Sequence, residues 1–102
     1  MTTQFAICRL RGPAVGSQPV VVLQHDHVTD IPTRIVAPLI VEGKMKRLTR
    51  LHPVVIHEGQ RMIVAVDLAA AVPANLIGPM EGSAEHLQDE IKAALDLLFL
   101  GF

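Results

Sequence analysis

Ala84, Leu87, Ile91, Ala94, Leu95 and Leu98 recur at three- and four-residue spacing, and they put one apolar stripe on a helix near the end of the chain. Ser83 is a fitting N-cap for this helix. Glu85 falls in its first turn, where the helix dipole favours negative charge. Gly101 stands where a glycine ends a helix, and Phe99, Leu100 and Phe102 add large apolar groups around that stop. Chain ends rarely find burial, so these groups need a partner surface: the domain's own core, a second subunit or a target protein. Leu98 and Phe99 are expected on the helix's inward side and at a dimer contact. Leu100 and Phe102 are expected to probe a partner.

The chain as far as Val66 reads as extended segments broken by loops. Gln4 to Arg11 alternates, with Phe5 and Ile7 on one face and Gln4, Ala6 and Cys8 on the other. Gly12 to Ser17 reads as a loop, and Pro19 to His25 as a strand whose run Val20 to Leu23 is buried on both faces. Asp30-Ile31-Pro32 breaks that strand. Extension resumes from Arg34 to Val41, with Pro38 marking an edge, a bulge or a bend. Val54–His57, Glu58-Gly59 and Gln60–Val66 form a hairpin with a tight turn. Asp67 to Ala71 is expected to start a helical turn capped by Asp67 and ending before Pro73. Strands first and a helix last predict an α+β fold, a strongly bent antiparallel sheet with a long C-terminal helix, in one domain over residues 1–102.

Half of the 102 residues are hydrophobic but only three are aromatic, so the core is built from aliphatic side chains. So much apolar surface in a small chain favours a homodimer. No run reaches the ~20 apolar residues of a membrane span, and residues 1–4 do not open a secretory signal. The lone Cys8 fits a reducing compartment, so a cytoplasmic protein is expected. A net charge of −1 argues against direct nucleic-acid binding.

His25-Asp26-His27 puts two imidazoles on one face, with Asp30 or His52 as further zinc ligands. The ligand spacing is not characteristic, and no metal and no cofactor are expected. His25, His27, His52, His57 and Asp67 are the acid–base candidates. No nucleophile elbow, phosphate loop or paired-carboxylate motif accompanies them, so no enzyme and no catalytic residues are expected. Lys44, Lys46, Arg47 and Arg50 cluster within seven positions, as a docking surface for an acidic, flexible peptide or as a solvated loop.

Several stretches in order resemble the CcdB family of toxins: Gln24 with Asp26, Arg34-Ile35-Val36-Ala37-Pro38-Leu39, Leu51-His52-Pro53-Val54-Val55, Arg61-Met62, Asp67-Leu68-Ala69 leading to Val72-Pro73, and Leu76-Ile77-Gly78. Glu90-Ile91-Lys92 with Ala94, Leu97, Phe99 and Gly101 completes the set. The resemblance implies an SH3-like bent sheet with a C-terminal helix, a homodimer, and a toxin that binds the DNA gyrase A subunit and traps it on cleaved DNA. It also implies a cognate antitoxin that removes the toxin through a disordered acidic segment. Carried over by position, the gyrase contacts are Leu100, Gly101, Phe102, Asp96, His27 and Val28. The antitoxin is expected on Lys44, Lys46, Arg47 and Arg50. At Leu100 the family carries Trp, at His27 an aliphatic group, and at Asp96 a neutral polar residue. The alternatives are an endoribonuclease toxin of a related fold, working through His52 or Arg61, and a homologue that binds antitoxin without poisoning gyrase.

Overall fold

Pro38 lies inside the strand on which the whole sheet turns. A computed structural model describes residues 3–12, 16–28 and 30–102 of the chain. Its strands are β1 (Ala6–Gly12), β2 (Gly16–Val22), β3 (Thr33–Val41), β4 (Val54–His57), β5 (Gln60–Val64), β6 (Ala70–Pro73) and β7 (Ile77–Ser83), followed by helix α1 (Gln88–Leu100). All pairings are antiparallel, in the order β4-β5-β3-β2-β1-β7, with β6 added to β3. The first half of β3 pairs with β6, Val36 to Pro38 pair with β2, and Leu39 to Val41 pair with β5. Pro38 sits at the changeover. It has no N–H to offer a ladder, but its carbonyl accepts the Ala65 N–H at 3.0 Å. Of the edge, bulge or bend expected from the sequence, the edge is excluded, since Pro38 lies in an interior strand where the pairing partners change.

Alternation along β1 and β2 builds two cores. Phe5, Ile7, Val21 and Leu23 face the helix with Ala37, Leu39, Val64, Val66, Ile91 and Ala94. Ala6, Cys8, Leu10, Val20, Val22 and Val36 fill the other face, closed by Val72, Leu76 and Ile77. The expected burial of Val20 to Leu23 on both faces is present, although the strand ends at Val22. The loop expected over Gly12 to Ser17 is shorter, because β2 already begins at Gly16; positions 13–15 lie outside the described residues.

The β4–β5 hairpin turns on Glu58 (φ 53°) and Gly59 (φ 75°). Two left-handed residues give the turn the twist that antiparallel strands need. The stretch after β5 departs from expectation. Val66–Leu68 is a single 3₁₀ turn without a side-chain cap, and Ala70–Pro73 becomes β6. Asp67 cannot cap, since it lies inside the turn and its carboxylate is taken by His52. Neither β6 nor β7 was expected. Their alanine, glycine and proline content hides a strand that pairing with β3 and β1 nevertheless stabilises.

Ser83 closes β7 rather than capping the helix: its Oγ accepts the Glu85 N–H at 3.1 Å, but a 3₁₀ segment over Glu85–Leu87 intervenes and α1 starts without a side-chain cap. Ile91 and Ala94 are fully buried, while Leu87 and Leu95 pack at the margin of the core. The stripe then fades: Leu98 and Phe99 are exposed, which corrects their expected place on an inward side. The helix outruns the sheet it packs on. Gly101 (φ 82°) ends it, donating its N–H to the Leu97 carbonyl at 3.1 Å. No helix is long and apolar enough to cross a membrane among the described residues. The α+β, SH3-like reading stands.

Candidate functional site

Three surface regions carry the residues singled out by the sequence. The first is the end of α1. Phe99, Leu100 and Phe102 are 74%, 63% and 82% exposed, so the tip is free of the chain's own core. Asp96 lies on the same helix and is also exposed.

The second region is the loop after β2, which carries His27 and Val28. Gln24 Nε2 donates to the Val28 carbonyl, Gln24 Oε1 accepts the Ile35 N–H at 3.2 Å, and Asp26 Oδ1 accepts the Gln4 N–H. Those bonds explain why Gln24 and Asp26 stand before this loop. His25 Nδ1 accepts the His27 N–H at 3.1 Å, and the two rings meet edge to face at 4.4 Å, both exposed. Because Nδ1 accepts, the proton of a neutral His25 ring sits on Nε2. Among the described residues this pair gains no third metal-ligating side chain. No hydrogen bond or ion pair links this loop to the tip of α1 among the described residues.

The third region is the loop between β3 and β4. Lys44, Lys46, Arg47 and Arg50 are all exposed there. Arg47 Nε donates to the His52 carbonyl at 3.0 Å, and Arg50 lines a shallow cleft against Glu90 and Ala93 of α1. His52 anchors the loop from beneath. It is 1% exposed, its Nδ1 accepts the Leu48 N–H, and its Nε2 meets Asp67, both at 2.8 Å. Both ring nitrogens are used, so His52 is not free to move a proton for a substrate. Arg61 is held by Glu42 in two hydrogen bonds, at 2.8 and 3.1 Å. This hydrogen bonding draws the Glu42 carboxyl below its ordinary value, against an opposing effect of desolvation, and the charges of Arg61 and Arg47 add to the lowering.

A fourth cluster was not expected. Arg9 of β1 bridges Glu58 (3.0 Å) and Glu81 (3.3 Å), and His57 lies beside both carboxylates. The hydrogen bonds that Arg9 donates to Glu81 hold its guanidinium more firmly protonated than usual. Burial, and then the Glu81 charge, push the Cys8 thiol up, which leaves it protonated and inert. Only His57-Glu58 is adjacent in sequence; Arg9 and Glu81 arrive through the fold.

The chain is similar along its length to several solved structures. An endoribonuclease in complex with its cognate antitoxin, from a mycobacterial species, superposes with a TM-score of 0.80 at 12% identity, covering 100% of this chain and 97% of that one. The Mycobacterium tuberculosis toxin MazF-mt6 gives 0.77 at 18% identity, covering 92% and 95%. The MazE-MazF complex of Deinococcus radiodurans gives 0.71 at 18%, covering 99% and 96%. At these identities the likeness is one of fold. No curated protein matches the sequence.

These structures correct one expectation. The sequence reading held that the chain is not an enzyme, from missing motifs and from the family resemblance. The same fold, over the whole chain, is that of proteins described as endoribonucleases, so neither argument excludes catalysis. A fold that keeps its chemistry on scattered loops leaves no compact motif to find. The sequence itself matches the CcdB protein family model over residues 4–101, and the chain therefore belongs to the CcdB family.

Proposed function

We propose that the protein is the toxin of a toxin–antitoxin pair and that it acts on RNA. The observation that carries the RNA reading is the His25–His27 pair, exposed on one loop of a fold that endoribonuclease toxins share. Of the five acid–base candidates, His52 and His57 are buried and Asp67 is engaged by His52. The two that remain accessible are adjacent. The His27 ring takes the proton of a ribose 2′-hydroxyl, whose oxygen attacks the neighbouring phosphorus. The bond to the 5′-oxygen breaks, and His25 Nε2–H protonates that leaving oxygen. The products are a 2′,3′-cyclic phosphate and a free 5′-hydroxyl. Lys44, Lys46 and Arg50 supply cations for the phosphate backbone or for the acidic segment of an antitoxin.

The test is cleavage of a labelled RNA by purified protein, with product ends identified. His25→Ala and His27→Ala should each lower the rate by about 10²–10⁴-fold while leaving the fold intact. Cleavage that survives both substitutions overturns the assignment.

A second reading rests on the exposed tip of α1. Phe99, Leu100 and Phe102 present apolar area that a pocket on the gyrase A subunit would bury, as the CcdB resemblance implies, with Asp96, His27 and Val28 at the rim. Capture of gyrase A by the full chain, lost on deleting residues 100–102, supports that reading; no capture removes it. Exposed Leu98 and Phe99 also fit a homodimer contact, which light scattering checks directly.

A further inference from the structure

The main path of strands in the curled sheet ends at β4 and β7, and no ladder joins them among the described residues. Side chains meet across that gap instead. His57 ends β4, Glu58 follows it in the turn, and Glu81 projects from β7. His57 is 7% exposed and packs on Gly82, where an added Cβ would come within 3.5 Å of its Nδ1. Its Nε2 is buried and makes no hydrogen bond among the described residues. It points at two carboxylates that stand just too far away to accept one, Glu58 Oε1 at 3.7 Å and Glu81 Oε1 at 3.8 Å.

Buried polar atoms are nearly always satisfied, so an orphaned imidazole nitrogen facing two carboxylates calls for a ligand. Arg9 supplies one positive charge to the pair, which leaves one negative charge over. We propose that His57 Nε2, Glu58 and Glu81 bind a divalent transition-metal ion, zinc by preference, across the open seam of the sheet. The three ligand atoms lie within 4.8 Å of one another. Bonds of ~2.0–2.2 Å to one tetrahedral centre require separations of roughly 3.4 Å, so the two His57–carboxylate distances of 3.7 and 3.8 Å need to close by only a few tenths of an ångström, and the two carboxylates must draw together. Glu58, exposed on a turn, can make that adjustment. One imidazole nitrogen and two carboxylate oxygens suit zinc, whereas magnesium and calcium take oxygen alone. Arg9 Nε contacts both oxygens of Glu81 at 3.3 Å, and its Nη2 reaches the Oε1 atoms of Glu58 and Glu81 at 3.0 and 3.3 Å. As the ion enters, the guanidinium shifts to the outer oxygens, as supporting groups around metal ligands do. The ion would clip β4 to β7 where backbone pairing does not.

The sequence alone predicts no metal, because no ligand spacing in it is characteristic. The proposal is independent of the toxin's target. Its test is calorimetric titration of the full chain with zinc chloride, with magnesium chloride as control and thermal unfolding as a second readout. We expect one zinc per chain and a raised unfolding midpoint, with no response to magnesium. Glu58→Gln and Glu81→Gln, which leave the buried ring in place, should each weaken zinc binding at least roughly 100-fold. His25→Ala/His27→Ala should leave it unchanged. In ¹⁵N spectra the His57 Nε2 resonance should shift on zinc addition. Zinc binding that is absent, that persists in both glutamine variants, or that disappears with His25 and His27 overturns the site. So does an Nε2 resonance that ignores zinc.

Discussion

His52 Nε2 lies 2.8 Å from Asp67 Oδ1, which ties the loop after β3 to the 3₁₀ turn after β5. The Leu48 N–H donates to the other ring nitrogen, so the proton sits on Nε2 and Asp67 accepts it. A residue that reads in sequence as an acid–base candidate is thus a structural post beneath the basic loop. His52→Ala should cost about 2–4 kcal/mol, from the lost ring volume and the orphaned Leu48 amide. Asp67→Ala should cost about 1–2 kcal/mol, since this carboxylate is partly solvated. Urea unfolding measures both. A loss of activity with unchanged stability would instead place His52 in the chemistry.

The tip of α1 should be separable from folding. Deleting residues 100–102 removes exposed groups, and the unfolding free energy should change by less than about 1 kcal/mol. Gly101→Ala meets no neighbour within 4 Å, but its φ of 82° disfavours any side chain. It should lower stability by about 1 kcal/mol and redirect Phe102. Leu100→Trp should strengthen capture of gyrase A if the tip docks there. Binding assays beside denaturation curves check all three.

Antitoxin association should depend on the basic loop. Reversing charge at Lys44, Lys46 and Arg50 should slow the on-rate at low salt by about tenfold and affect the off-rate less. Arg47 is left out because it also holds the His52 carbonyl. Stopped-flow mixing at two ionic strengths reads the effect.

The Glu42–Arg61 pair should shape the acid limb of stability. The Glu42 carboxyl is lower in the folded protein than in the unfolded chain, so the unfolded state takes up the proton first. Its contribution is complete above the ordinary glutamate range, near pH 4, and is lost as pH falls further. Glu42→Gln should flatten the stability profile below that point and leave the slope at neutral pH unchanged. Chemical denaturation between pH 2.5 and 7, as an order-of-magnitude window about the glutamate range, checks it.

Cys8 should resist alkylation. Its thiol is fully buried and held protonated by burial and by Glu81. Iodoacetamide at pH about 8 should label the unfolded chain and leave the native one unmodified. Rapid native labelling would mean that β1 opens.

Much of the fold follows from local pattern. Alternation in β1 and β2 sorts Ile7 and Val21 from Cys8 and Val20, and the stripe from Ala84 to Leu95 dictates a helix that Gly101 stops. These features are legible because a strand repeats every two residues and a helix every 3.6. The β4–β5 hairpin is equally local, since Glu58-Gly59 between two apolar runs leaves little choice. What lies beyond reach is whatever depends on partners distant in the chain. β6 and β7 are strands because β3 and β1 offer them ladders, not because of their own alanines and glycines. The same holds for the sites. Which of the five histidines are accessible was settled by burial, and Arg9, His57, Glu58 and Glu81 converge only because the sheet curls until its edges face. Sequence periodicity determined the elements and the faces they bury. Curvature, which sums small twists over many residue pairs, decided which charged groups meet.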